Sequence, residues 1–583
     1  MIWARACPIY AMSALKLFVA TVMCLACLPV QAAENYRLQA PDEVYALLHT
    51  YLPDAGQPIA ADDEIARLGL VRRLREQTRD LLATEGYFSP QVSLDTGDVL
   101  TLNVVPGPRT KVSSLELNFA GDLVTQEVFK AEAESFRADW ALKVGEVFRD
   151  RDWAQAKERL LQQVAARHFA GARIVESQAD IDPERAEAHL RLTLDSGPAY
   201  RFGELNVEGL HDYSPELLER YNLLQRGGDY SLESLQTLQA ALQTTPYFSY
   251  VEVSADLAQA KGNVLPIKVL VQEAKPKRFT VGVGYSSNTG AKFDLGLRDA
   301  NLLGRAWLLN SGLRLETKQQ SAFADIFLPP DTGGWRNSVG GIAEASYISG
   351  LRLRRQTVGV ARSIQLGDIN TRFGLSLQGE TTQADGAERS HKQALALDWQ
   401  WTRRKLDNPL DPHRGNSVSL RLSAASRYLL SDTDFVRTWS RLAYWYPFSS
   451  QDVLGLRLEG GYTVAKSRTN VPQDFLFRTG GAQSVRGYNY LSLGAHEGSA
   501  VVGGRYMGTS SVEYTHWLSA SPWGVAGFVD VGDAGDQLNA LRAHVGSGLG
   551  GRWRSPAGPL ALDLAYGWQE RRWRIHLSVA LVF

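Results

Sequence analysis

After Lys277 every helical period disappears, and segments of about ten residues alternate apolar with polar side chains up to Phe583. Sixteen such segments begin near Phe279, Ala291, Trp307, Gln319, Asn337, Arg355, Asn370, Ser390, Asn416, Phe435, Val453, Tyr506, Trp523, Arg542, Gly558 and Trp573. Period-two alternation gives a strand one apolar and one polar face. A strand of this length, tilted by about 45°, crosses the hydrocarbon of a bilayer, where only a closed sheet leaves no backbone group unpaired. The pattern therefore predicts a 16-stranded transmembrane antiparallel β-barrel over 276–583, apolar outside and polar within. The last strand shows this most cleanly: Trp573, Ile575, Leu577, Val579, Leu581 and Phe583 share one face, and Arg574, His576, Ser578 and Ala580 the other. A water-soluble sandwich or propeller would not carry so continuous an apolar outer face.

Residues 34–275 are built differently, as three repeats with a period of roughly 80 residues, assigned here to 34–109, 110–198 and 199–275. Tyr87-Phe88, His168-Phe169 and Tyr247-Phe248 each follow a one-sided helix. Behind each lies a strand with one buried face, marked by Leu100, Leu102 and Val104, by Leu190, Leu192 and Leu194, and by Leu265, Ile267, Val269 and Val271. The order strand, helix, helix, strand, strand resembles the polypeptide-transport-associated (POTRA) domain, so the fold class expected is α+β repeats followed by an all-β barrel. Sheet edges in such repeats can accept an extended segment as an added strand.

Arg5 and Lys16, the apolar run Leu17 to Val30, and Val30-Gln31-Ala32-Ala33 predict a signal peptide over 1–33. All three cysteines, Cys7, Cys24 and Cys27, fall inside it, so the remaining chain can form neither a disulfide nor a thiolate metal site. A net charge of -1 argues against binding nucleic acid. With no nucleotide motif, metal-ligand cluster or paired catalytic carboxylates in view, no cofactor, metal or catalytic residue is expected, and the chain is not expected to be an enzyme.

The longest connection between barrel strands, 466–505, contains Phe477-Arg478-Thr479-Gly480-Gly481-Ala482-Gln483-Ser484-Val485-Arg486-Gly487-Tyr488. Its glycines permit positive φ, and Arg486 sits where a turn could carry it into the lumen, in which an unpaired cation is unfavourable. Parity places Glu513, Asp530 and Asp563 on the lumen side, between lipid-facing Val512 and Tyr514, Val529 and Val531, and Leu562 and Leu564.

Taken in order, Phe477 to Tyr488, Ser511-Val512-Glu513-Tyr514, Gly527 to Gly532 and Gly548 to Pro559 resemble the outer-membrane insertase superfamily typified by BamA. The stretch Asn408-Pro409-Leu410-Asp411-Pro412-His413-Arg414-Gly415 fits its barrel pattern as well. Three repeats, rather than five or two, look like the TamA branch, the outer-membrane subunits of the translocation and assembly module. The resemblance implies a lid loop folded into the lumen, carrying Gly480, Gly481, Val485, Arg486, Gly487 and Tyr488. It also implies that Glu513 and Asp530 are the lid's partners, while Asp563 has no such match. The sequence departs from the superfamily pattern at Gly551, where an arginine is frequent, which puts a contact there in doubt.

From the same resemblance follow a place in the outer membrane of a Gram-negative bacterium with the repeats in the periplasm, outer-membrane lipid as surroundings, unfolded outer-membrane protein clients, and a TamB-like inner-membrane-anchored partner. The mechanism expected is lateral opening between the first strand, with Phe279, Gly282 and Gly284, and the last, Trp573 to Phe583, with Gly282 lying near Ser578 across the seam. Assistance to β-barrel and autotransporter-type clients is the function this implies. The alternatives are a two-partner-secretion-type translocator, a lipid-transport conduit, a passive porin, and a membrane-embedded hydrolase that would need a serine beside His544 or His576.

Overall fold

The computed structural model describes residues 36–52, 64–95, 100–556 and 558–579; the expected signal peptide and the gate residue Phe583 lie outside them. In the amino-terminal part, each of the three apolar strand runs forms the middle of a three-stranded sheet. Thr101–Val105 lies between Arg37–Gln39 and Gln91–Asp95, Glu187–Asp195 between Lys111–Ala120 and Arg173–Asp182, and Val264–Glu273 between Arg201–Glu208 and Phe248–Ala255. In the first two sheets the middle strand runs parallel to one neighbour and antiparallel to the other. A middle strand has both edges paired and one face under the helices, so Leu102, Leu190, Leu192, Leu194, Leu265, Ile267 and Val269 are all buried.

The helix Asp150–Ala165 shows how the pattern works. Asp150 and Asp152 stand in its first turn, where the helix dipole favours negative charge. Trp153, Ala156, Leu160 and Val164 form a single buried stripe against Leu190, Leu192 and Leu194. Full burial of each large side chain contributes about 1.5–3 kcal/mol. The chain as a whole divides into two compact units, one dominated by residues up to Glu204 and the other containing everything from Ile267 onward, with the third repeat divided between them.

The second unit contains a sixteen-stranded antiparallel sheet in sequential order. Its strands are β1 (Lys277–Ser286), β2 (Gly290–Leu302), β3 (Trp307–Glu316), β4 (Gln319–Phe327), β5 (Arg336–Ile348), β6 (Leu351–Leu366), β7 (Ile369–Ala384) and β8 (Arg389–Leu406). They continue with β9 (Gly415–Ala425), β10 (Phe435–Pro447), β11 (Asp452–Ala465), β12 (Tyr506–Trp517), β13 (Trp523–Gly535), β14 (His544–Ser555), β15 (Gly558–Gly567) and β16 (Arg572–Val579). Alternation sorts the side chains as expected: Val512, Val529, Leu562 and Ile575 are exposed on the outer wall, whereas Asp530, Asp563 and His576 are buried inside.

Three strand starts differ from the sequence reading by more than one residue, the first being β1, which begins at Lys277 rather than Phe279. β6 begins at Leu351 rather than Arg355, because Ser349 and Gly350 both adopt positive φ and make a two-residue turn that pairs Ile348 with Leu351. β14 begins at His544 rather than Arg542, whose backbone N–H is taken by the Asp533 carboxylate.

Every neighbouring pair of strands is joined by a ladder except the pair that would close the circle. Among the described residues, β1 and β16 share no ladder, and their edges meet through Ser287, whose hydroxyl bonds the Leu577 carbonyl and amide at 3.4 and 3.1 Å. The contact places Ser287 beside Leu577; among the described residues no ladder pairs Gly282 with Ser578.

A charge on the outer wall tests the membrane-facing assignment. Val529→Lys, at the middle of β13, is expected to destabilise the folded barrel in vesicles by about 2–4 kcal/mol. Denaturant titration followed by heat-modifiable gel migration measures this, and an unchanged midpoint contradicts the assignment.

Candidate functional site

The 466–505 connection leaves β11 and folds into the lumen instead of standing above it. Its first part is held by the wall of β6, β7 and β8: Asp474 pairs with Arg355, the Gln473 amide donates to Glu380 at 2.9 Å, and Lys392 donates to the Val471 carbonyl at 3.3 Å. Short bridges between Phe477 and Gly504, and between Thr479 and Leu493, then narrow the loop into a tongue. Val485 and Tyr488 are fully buried at its tip, packed with Leu493.

The tip presents Arg486 to three carboxylates. Asp530 on β13 receives a forked pair of bonds, from Nε at 2.7 Å and Nη2 at 2.9 Å, and also the Arg486 backbone N–H at 3.0 Å. Nη1 donates to Glu513 on β12 at 2.7 Å and to Asp563 on β15 at 3.1 Å. The guanidinium carbon lies 3.4 Å from the ring centre of Phe528, which adds a cation–π contact. Burial works against the charge on Arg486, but the hydrogen bonds and fields of these carboxylates overcome it and push the pKa up. With Asp530 0% exposed and Arg486 4%, this is a desolvated ionic bond in which either partner alone is an uncompensated charge.

Several members of the cluster were not singled out in the sequence. Arg552 on β14 bonds Glu513 at 3.1 Å and Asp563 at 2.6 Å, so it holds two of the same carboxylates. Arg457 on β11 reaches the Ser484 carbonyl at 3.3 Å, and Ser511 donates to Asp530 at 2.6 Å. Parity marks Arg552 as lumenal, which is the signal that could have found it. The departure at Gly551 is of no consequence here, since that residue is exposed on the other face of the strand and the arginine beside it makes the contacts.

Backbone meets backbone where the tongue lies on β14 and β15. Gly487 has φ +90, and a Cβ on Gly546 would fall 1.7 Å from the Arg486 carbonyl oxygen. Tyr488 directs its hydroxyl to the Val545 carbonyl at 3.1 Å. The tongue also touches both sides of the unladdered seam. The Ala482 amide donates to Asn288, just after β1, at 3.3 Å. On β16, His576 Nε2 accepts from the Gly487 amide at 2.9 Å, and Arg574 donates to the Gly487 carbonyl at 2.7 Å.

The remaining expected site residues lie apart from this cluster. Gly480 and Gly481 take positive φ at the base of the tip. Phe279 and Trp573 are exposed on the outer wall, and Gly282 and Gly284 occupy the opposite parity of β1.

Residues 276–582 match the Omp85 superfamily domain. Among curated proteins, the outer membrane protein assembly factor BamA of Nitratidesulfovibrio vulgaris is 22% identical over 514 residues, covering 84% of this chain and 64% of that protein. The protein of the same name from Neisseria meningitidis serogroup B is 22% identical over 460 residues, covering 72% of this chain and 56% of the relative. This chain thus spans less than two thirds of the length of either. Among solved structures, BamA from Haemophilus ducreyi lacking POTRA domains 1–3 shares the fold with a TM-score of 0.68 at 17% identity, over 81% of this chain and 100% of that one.

Removing the guanidinium strands a buried carboxylate, so Arg486→Ala is expected to destabilise the barrel by about 3–5 kcal/mol. The Arg486→Ala, Asp530→Ala double variant should lose much less stability than the two single changes summed. Denaturant titration of the four proteins of this cycle measures the coupling, and strict additivity contradicts the ionic bond. Gly546→Ala is expected to leave heat-modifiable migration intact while displacing the tongue, read as trypsin cleavage at Arg486; continued protection contradicts the close backbone packing.

Proposed function

The chain belongs to the Omp85 superfamily, and we propose that it acts as a TamA-type insertase, assisting β-barrel and autotransporter-type clients to assemble through a lateral opening between β1 and β16. The barrel lies in the outer membrane of a Gram-negative bacterium and the amino-terminal α+β part in the periplasm. In this reading the three repeats are POTRA-like modules whose sheet edges receive clients and reach a TamB-like partner anchored in the inner membrane. The work is done without bond chemistry: a client strand pairs with an exposed strand edge, and its folding into lipid supplies the free energy.

The observation that carries this proposal is the seam. Each of the other strand junctions in the described sheet is a hydrogen-bonded ladder, whereas among the described residues β1 and β16 meet through the side chain of Ser287. Unpaired strand-edge groups in a bilayer are unfavourable and are the natural template for another strand. A passive porin has no use for such a seam, and its lumen would not be filled by a tongue fastened to strands on both sides of the barrel.

Beyond Cys27 the sequence contains no cysteine, so a lock can be introduced cleanly. Cysteines at Ser287 and Leu577, joined by a disulfide or a short bis-maleimide, are expected to abolish insertion of unfolded barrel clients into vesicles containing the purified protein. Reducing the disulfide should restore it. Full insertion by a quantitatively locked barrel contradicts lateral opening, and loss of lipid transfer with insertion intact moves the assignment to a lipid conduit.

A further inference from the structure

The Asn408 to Gly415 motif is not used by the tongue or the seam, yet its turn is densely hydrogen-bonded. It joins β8 to β9, and because even-numbered strands end on the side where β1 begins, it lies at the periplasmic mouth. The Asp407 carboxylate accepts the backbone amides of Asn408, His413 and Arg414 at 2.9, 3.1 and 3.1 Å, which holds it below the usual carboxylate range despite the opposing effect of burial. Asn408 caps the Leu410 amide at 3.0 Å. The turn is therefore braced from within.

A single side chain fastens this unit across the mouth. Arg554, at the end of β14, donates to Asp411 Oδ2 at 2.5 Å and also bonds His413 Nε2. His413 uses Nδ1 on the Asp411 carbonyl at 2.9 Å, so its Nε2 is free to accept from the guanidinium. The same guanidinium stacks 3.5 Å from the ring centre of Trp517, at the end of β12, and His413 packs against that ring from 6.2 Å. Arg554 and the residues it holds in the turn are separated by more than 140 positions in sequence. A cavity of about 600 Å³ is lined by Pro409, Leu410 and Pro412 of the turn and by Gln483 and Arg486 of the tongue.

We propose that the 407–414 turn is a gate across the periplasmic mouth of the lumen, latched shut by Arg554 holding Asp411 and His413 against Trp517. The tongue and the turn both line this chamber, so two separate devices bear on it. One is a desolvated ionic cluster. The other is a half-exposed clasp of one arginine, suited to opening without loss of the fold. The gate is independent of what passes through the seam.

A reporter inside the chamber tests this. Ala443→Cys lies on the lumen face of β10 and lines the cavity. In the full chain in nanodiscs, its labelling by a charged methanethiosulfonate is expected to be slow, and about tenfold faster when Arg554→Ala raises the open population. Asp411→Ala removes the clasp from the other side and is expected to give the same acceleration, with no further gain in the double variant. Heat-modifiable migration verifies that each variant folds, and either single variant suffices for the test. Unchanged labelling in a folded Arg554→Ala or Asp411→Ala barrel overturns the gate, as does acceleration by the two changes that multiplies in the double variant.

Discussion

The forked bond between Arg486 and Asp530 is the interaction on which the arrangement of the lumen depends. The tongue packs apolar side chains at its base, among them Val471, Phe475 and Leu476, and at its tip, Val485, Tyr488 and Leu493. It is held because one cation meets carboxylates from β12, β13 and β15 at once, with Arg552 balancing two of them from β14. In a desolvated site such a set is stable only when complete, because each member is strongly unfavourable alone. The tip is thereby given one position, and Gly546 allows the backbone to reach it.

That position has a consequence for the seam. The residues next to Arg486 touch Asn288 beside β1 and His576 and Arg574 on β16, so the loop that the ionic cluster immobilises also spans the junction without a ladder. In the proposed mechanism, closure of the barrel rests on side chains and on the tongue, while the other strand junctions rest on backbone hydrogen bonds. Opening therefore begins at the one place where few bonds must break.

The sequence made the repeated parts legible. In the repeats, the apolar runs at Leu102, Leu190 and Ile267 marked strands with one buried face, and the structure makes each the middle strand of its sheet. In the barrel, parity told which side Glu513, Asp530 and Asp563 occupy, and the same signal was available for Arg552. What parity does not carry is the angular position and height at which two lumen residues meet, since these depend on strand tilt and register accumulated around the sheet. Arg554 and Asp411 illustrate this: both sit at strand ends on the same side, but nothing in their local sequence says that they meet across the mouth. The Ser287 contact was likewise invisible, because it lies one residue beyond β1 and depends on how the two ends of the sheet come together.

The most direct measurement of the central claim is amide hydrogen exchange in lipid, comparing β1 and β16 with β7 and β8 before and after Arg486→Ala. If the anchored tongue keeps the unladdered seam closed, amides in Lys277–Ser286 and Arg572–Val579 exchange faster than those of β7 and β8 in the native barrel. They then accelerate further in the variant, while β7 and β8 stay protected. Equal protection of the seam strands and the interior strands, unaffected by loss of Arg486, would contradict it.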